Sequence, residues 1–248
     1  EIAAAEGVPQ QWILCGNGAA ELIYHYCRAV GGGITVETAP AFSEYAQGME
    51  LAGGKVHGYP LKEKLDFRLE EGILEYLQEI FDAEAGGEGR RIVLFLCNPN
   101  NPDGRNIPQT LLEEILAWCA CHGAGLFLDE CFLDMSDHPD SMKPYLQDHP
   151  ELFLLKAFTK NYGMAGIRLG YGLCSDPELL AAMSGMAQPW NVSGPAQAAG
   201  IAALREKDWI RRARQLIRDE RTRMAQALRE LGFRVCASEA NYLLIYGK

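Results

Sequence analysis

IVLFLCNPNNPDG, Ile92–Gly104, is the stretch on which the fold turns. Six apolar residues in a row, β-branched and aromatic among them, read as a strand covered on both faces. The two Asn-Pro pairs that follow force a turn at the strand's carboxyl end, where the ligand crevices of open α/β sheets lie. TLLEEILAWCAC, Thr110–Cys121, then has the spacing of an amphipathic helix, and GLFL, Gly125–Leu128, is a second apolar strand. Strand, turn, helix and strand make the unit of a parallel sheet with crossover helices. The alternation extends both ways, with further strands predicted at Ile34–Glu37, Lys55–Tyr59, Leu152–Lys156 and Leu169–Cys174. Helices are predicted at Ala20–Ala29, Ser43–Ala52, Leu69–Phe81, Pro177–Met186 and Pro195–Arg205. A longer amphipathic helix runs from about Asp208 to Leu231, with arginines on its polar face and Gly232 placed to end it. Phe233–Cys236 and Asn241–Tyr246 read as two last strands, and the charge-rich Glu84–Arg91 as a solvated loop.

The expected fold class is α/β. Residues 1–204 form a large domain with a mainly parallel sheet flanked by helices, and 205–248 open a smaller α+β domain. Two final strands with nothing after them would leave an exposed apolar edge, so the chain reads as part of a longer protein or as one with disordered ends. The 248 residues are 48% hydrophobic and 23% charged, the profile of a soluble globular protein. Lys and Arg total 23 against 33 Asp and Glu, and a net charge of −10 argues against a nucleic-acid or anionic-membrane surface. No apolar run approaches the roughly 20 residues needed to span a bilayer. EIAAAEGVPQ at the start lacks the basic and apolar regions of a signal peptide. The eight cysteines sit in apolar runs such as LFLCNP and LDECFL, as buried thiols of a reducing, cytoplasmic compartment do.

The chemistry concentrates in LLKAFTKNYGMAGIRLGYGL, Leu154–Leu173. An apolar strand leads into Thr159-Lys160, then a glycine-rich turn, then Arg168, so a hydroxyl, an amine and a guanidinium gather around one anion-sized loop. A lysine at the end of an apolar strand also loses its proton cheaply, as imine chemistry requires. Asp129 ends the strand GLFLD at the same crevice, where a buried carboxylate needs a cation or a shifted pKa. Gly16, Asn17 and Gly18 precede a helix whose free N–H groups suit a phosphate.

Taken in this order, the glycine-rich helix start, the NPxxP turn, the strand-end Asp and the strand-end Lys resemble the fold-type I pyridoxal 5'-phosphate (PLP) enzymes. The branch they resemble is that of histidinol-phosphate aminotransferase and threonine-phosphate decarboxylase, from about Val8 to the last residue. The resemblance implies that Lys160 forms the Schiff base with PLP and moves protons at the substrate's Cα, and that Asp129 pairs with the pyridinium nitrogen. It further implies that Asn101 bonds the phenolic oxygen, that Phe42 in APAFSEY stacks on the ring, and that Thr159, Arg168, Asn17 and Gly18 hold the phosphate. It implies a small amino-acid substrate and a homodimer as well.

Within the branch, Phe132 in LDECFLDMS, Tyr162, QPWNVS at Gln188–Ser193 and ANYLLIY lean towards the decarboxylase, which supplies aminopropanol phosphate for corrinoid synthesis. Phe132 stands where the aminotransferases usually carry a tyrosine. Against this, Asp103 replaces the usual threonine, and Gly-Met-Ala-Gly is closer to the aminotransferase form. The aminotransferase is therefore the alternative. A third reading is a non-catalytic remnant, because the family's N-terminal arm and C-terminal domain complete the site.

Other clusters have plainer readings. Cys119 and Cys121 in WCACHG point to different sides of a helix and do not share a metal. Asp129 and Glu130 face opposite ways, unlike a glycosidase pair. Asp134, Asp137, His138 and Asp140 read as a solvent-facing loop, and the arginines of 208–223 as a solvated flank. Trp190, Asn191 and Tyr45 are secondary candidates for reaching the pocket.

Overall fold

A computed structural model describes residues 1–85 and 91–247. The chain runs through α1 (Ile2–Glu6), β1 (Ile13–Gly16), α2 (Ala19–Val30), β2 (Ile34–Ala39), α3 (Glu44–Leu51), β3 (Lys55–Pro60) and α4 (Gly72–Ile80). Next come β4 (Ile92–Cys97), α5 (Gln109–His122), β5 (Gly125–Asp129), β6 (Leu152–Ala157), the single turn α6 (Phe158–Asn161) and β7 (Gly170–Leu173). α7 (Pro177–Gly185), α8 (Gly194–Arg205), α9 (Trp209–Glu230), β8 (Arg234–Val235) and β9 (Ile245–Tyr246) follow.

Seven strands form one sheet in the order β1-β7-β6-β5-β4-β2-β3. Pairing is parallel from β6 across to β3 and antiparallel where β7 joins β6 and β1. Strand alternation assigns the faces. Val93, Phe95, Phe127, Phe153 and Leu155 point to one side, under Leu22, Ile23 and Tyr26 of α2, Met49 of α3 and Leu179, Leu180 and Met183 of α7. Leu94, Leu96, Leu126, Leu128 and Leu154 point to the other, under Ile73 and Leu77 of α4 and Leu111, Leu112, Ile115 and Leu116 of α5. Phe95, Phe127 and Phe153 stand in a row, their centroids 4.8 and 5.0 Å apart. That row leaves β7 room only for glycine at its centre, since a Cβ on Gly172 would lie 2.2 Å from the Phe153 ring.

The same parity separates the charged residues at the strand ends. Asp129 falls on the aromatic side, whereas Glu130 and Lys156 fall on the side of α5. Lys156 is 3% exposed, with Nζ 3.3 Å from Asp134, 3.6 Å from Glu130 and 4.0 Å from Glu6. Burial works against its charge, but the Glu130, Asp134 and Glu6 carboxylates outweigh burial and raise its pKa. Removing one partner of such a cluster leaves buried charges uncompensated. Lys156→Met is therefore expected to destabilise the chain by about 3–5 kcal/mol in urea unfolding, with Lys156→Arg recovering most of the loss.

Several sequence expectations need correction. α4 starts at Gly72 and not Leu69, and beyond Ile80 it widens into a π-turn, Phe81–Ala85. Only Ile245–Tyr246 of the last expected strand pairs, antiparallel to Arg234–Val235. β1 was not anticipated. Glu84 is paired with Lys55 (2.6 Å) and His57 (2.9 Å) and is not simply solvated, while 86–90 lie outside the described residues. The acidic loop and the arginines of α9 meet each other: Arg214 donates to the Asp134 carbonyl (2.7 Å), and Arg218 and Arg221 pair with Asp137. Gly232 ends α9 at φ 87, with the Phe233 N–H returning to Leu228 O.

Candidate active site

Register pairs Cys97 with Asp129 and Asp129 with Leu155, so β4 and β5 end level and β6 runs two residues further, to Ala157. Over these ends opens a cavity of about 350 Å³. Asn101, Asp129, Phe132, Thr159, Lys160, Arg168 and Phe42 line it, with Tyr45, Cys97, Cys131 and the first residues of α2, Ala19 and Ala20. Four distant segments thus converge as expected from the strand-end positions of their residues.

Asp129 is 6% exposed. Its Oδ1 accepts the Cys131 N–H (2.9 Å) and its Oδ2 the Tyr45 hydroxyl (2.7 Å), neither of which carries a full charge. Burial pushes its pKa above the usual carboxylate range, opposed by the Cys131 and Tyr45 hydrogen bonds and the charge of Lys160. A carboxylate held in this way is a receptor for a cation. Lys160, on α6, is exposed to the cavity, with its Nζ 5.0 Å from the centre of the Phe132 ring. Tyr242 meets Phe132 edge-on at 5.0 Å, and its hydroxyl donates to Asn100 O (2.9 Å).

The anion end is built from backbone shape. Thr159 is buried, and Arg168 is exposed at φ 60, a left-handed conformation that non-glycine residues adopt mainly where surrounding structure enforces it. Its guanidinium lies against Gly18, where a Cβ would be 2.5 Å from Arg168 Nη2 and where φ is 83. Gly18 is thus required both for its dihedral and for the close approach of the arginine. Asn17 differs from expectation. It is exposed, and its N–H donates to Glu21 Oε2 (2.7 Å), so this amide serves the first turn of α2 and not the cavity.

Asn101 is carried by a turn that the chain buttresses from several sides. Asn98 Oδ1 accepts the Ile107 N–H (2.9 Å), the Gly104 N–H donates to Asn100 O (2.7 Å), and Glu239 N–H reaches Gly104 O (2.7 Å). Inside the turn Asp103 is fully buried, accepting from Arg105 N–H (2.9 Å) and from Asn100 Nδ2. Burial raises its pKa to about 6 from 3.8. The folded chain therefore binds this proton more tightly than the unfolded one, and stability falls as pH rises from about 4 to above about 6. Asp103→Asn should remove this slope, worth up to roughly 3 kcal/mol. Urea midpoints of the two proteins compared at pH 5 and pH 8 measure it.

The secondary candidates divide. Tyr45 is 0% exposed and stacks on Phe95 (5.3 Å), so it lies behind Asp129 and not at the substrate opening. Trp190 is 94% exposed beside a separate groove of about 600 Å³, and Asn191 donates to Glu21 (3.0 Å); neither lines the cavity over the strand ends. Cys97 and Cys131 are buried thiols as expected, and their place in the cavity wall is new, though Cys97 shares the parity of Phe95 and lies opposite Asp129 in register. Among the described residues no His/Cys/Asp/Glu group is arranged to hold a metal ion. No helix there is long and apolar enough to cross a membrane.

A mostly parallel sheet whose strand ends gather an amine, a buried carboxylate and a guanidinium around one cavity defines the fold-type I class of PLP proteins. The profile of the family described as aminotransferase class I and II matches residues 4–248, and the chain belongs to that family. It is 34% identical over 239 residues to threonine-phosphate decarboxylase of Salmonella typhimurium, covering 96% of this chain and 63% of the relative. It is 35% identical over 245 residues to histidinol-phosphate aminotransferase of Desulfitobacterium hafniense, covering 96% and 64%. The chain thus spans less than two thirds of the length of these curated relatives. The crystal structure of histidinol-phosphate aminotransferase from Clostridium acetobutylicum superposes with a TM-score of 0.86 at 26% identity, over 100% of this chain and 71% of that one.

The cofactor of this family is PLP, and the cavity fits its three functional ends. Asp129 would offer a buried anion to a protonated ring nitrogen, Lys160 an amine to the aldehyde, and Arg168 with Thr159 a cation and a hydroxyl to the phosphate.

Proposed function

We propose that this chain is the cofactor-binding part of a PLP-dependent enzyme acting on an amino acid or amino-acid phosphate, most like L-threonine-O-3-phosphate decarboxylase. Residues 1–204 are the cofactor-binding domain and 205–248 the opening of a smaller one. The observation that carries the reading is the cavity in which Lys160 faces Asp129 across about 350 Å³, with Arg168 at the side. When bound, PLP supplies an aldehyde that takes up amines and a protonated ring that draws electrons from the substrate's Cα. In the decarboxylation Lys160 Nζ would deliver the proton that replaces the departing carboxylate at Cα; in the aminotransferase reading it would take the Cα proton and pass it on. Asp129 holds the proton on the ring nitrogen. Phe42 covers the ring, Asn101 donates to its phenolic oxygen, and Thr159, Arg168 and Gly18 fix the phosphate.

The decarboxylase is favoured by Phe132, which stands where the aminotransferases usually carry a tyrosine, has no hydroxyl to donate and presents its ring to Lys160. The aminotransferase is the second reading, favoured by relatives of that name at equal identity. Incubating the full-length protein with PLP and O-phosphothreonine decides between them. The expected result is carbon dioxide and an amine phosphate without any 2-oxo acid; a strict requirement for a 2-oxo-acid acceptor would favour the aminotransferase.

A further inference from the structure

We infer that Tyr45 is a positioning residue that acts through Asp129, aiming its carboxylate and holding it ionised for the ring nitrogen of the cofactor. The inference rests on the PLP reading above and adds to it a residue of the cavity wall to which that reading gives no role.

The geometry turns the Tyr45 hydroxyl to the Asp129 carboxylate, with the Cys97 thiol beside it. Its ring is fully buried, stacked on Phe95 at 5.3 Å and met edge-on by Phe42 at 5.7 Å, so the side chain is held on both sides. From that position the hydroxyl donates to Asp129 Oδ2 at 2.7 Å. The backbone N–H of Cys131 donates to Oδ1 at 2.9 Å and its thiol adds a second hydrogen bond, so the carboxylate is held from two different elements, the turn after β5 and α3. An ionised carboxylate has about four acceptor sites, which leaves capacity for a cationic N–H. Without such donors a carboxyl at this depth would take up a proton and lose its use as a counter-ion. The spacing Phe42-x-x-Tyr45 puts ring cover and carboxylate support on one segment leading into α3.

Other ionisable groups face Asp129: Cys97 from β4, Cys131 from the turn after β5, Lys160 from α6 and Tyr242 from the C-terminal segment. Burial pushes both thiols and Tyr242 further up, so they stay neutral through the acid range. Lys160 is common to every variant compared below.

The sign follows from linkage. Cofactor binding needs Asp129 ionised, so affinity is lost as pH falls through the pKa of Asp129. Removing the Tyr45 hydroxyl withdraws a donor from the ionised form and moves that loss to higher pH. The test is equilibrium PLP binding by absorbance, on protein stripped of cofactor, from pH 4.5 to 8.5. Tyr45→Phe should move the acid limb up by about one pH unit, which is about tenfold weaker binding inside the limb, with little change at pH 8.5. Asp129→Asn should remove the part of the limb that Asp129 contributes, leaving that of the cofactor's own phosphate and of the lysine, and adding Tyr45→Phe to it should change nothing further. Should Tyr45→Phe fold poorly by circular dichroism, 3-fluorotyrosine at position 45, a stronger donor of the same shape, should move the limb down. An acid limb identical in wild type and the Tyr45 variants overturns the inference while leaving the cofactor site standing. Wild type that binds no PLP at any pH overturns both.

Discussion

Lys160→Ala is expected to leave a folded protein that neither holds PLP covalently nor turns over substrate. Treated with PLP and borohydride, wild type should carry a pyridoxyl label on the peptide containing TKNYGMAGIR, and the variant none. The size of the effect follows from the absence of a substitute. Lys156 is only four residues away, but strand parity puts it through the sheet, 3% exposed and locked among Glu130, Asp134 and Glu6. Lys143 is paired with Glu6 at 2.9 Å on that same side. Neither reaches the cavity that Lys160 lines. Losing both the nucleophilic amine and the group that moves the proton at Cα should cost at least about 10⁴-fold in turnover of the full-length enzyme. Peptide mapping after borohydride provides the check. A label surviving on another lysine would show that the amine had been assigned to the wrong residue.

The main outline of this site was legible because its residues sit at the ends of apolar runs, and apolar runs are what sequence displays best. Ile92–Cys97 was placed to the residue, and Asp129, Asn101 and Lys160 follow from where strands stop. Gly18 was legible as a helix start, but its role against Arg168 was not, since that contact joins residues 150 positions apart through a backbone shape. Tyr45 was legible only through its likeness to a family position near the substrate, as a secondary candidate for reaching the pocket. That it lies behind Asp129 depends on the packing of α3 over β4 and β5, which no local pattern encodes. β1 escaped because four residues, ILCG, carry no alternation, and its strand character comes from pairing with β7. The arginines of α9 looked like a solvated flank because sequence shows periodicity but not the partner. The partner is the Asp134–Asp137 loop, far away in the chain.

Asp129→Asn should separate stability from function in opposite directions. The substitution keeps the size of the side chain and an acceptor for the Cys131 N–H, and removes a charge that burial disfavours. Because the folded state holds the Asp129 proton more tightly than the unfolded state does, wild-type stability declines as pH rises through its raised pKa. The variant lacks that decline, so at pH 8 it should unfold at a urea concentration equal to or above that of wild type. Turnover should move the other way, by roughly 10³-fold or more, because among the described residues no other that lines the cavity supplies a fixed anion to the ring nitrogen. Glu44 lines the same cavity, but the Tyr24 hydroxyl holds it at 2.5 Å on the α2 side. A variant less stable than wild type at pH 8 would mean that Asp129 is a structural anchor. Unchanged turnover in the full-length enzyme would mean that the ring nitrogen needs no counter-ion. The combination of equal or greater stability with lost turnover is what a carboxylate retained at an energetic cost for its charge must produce.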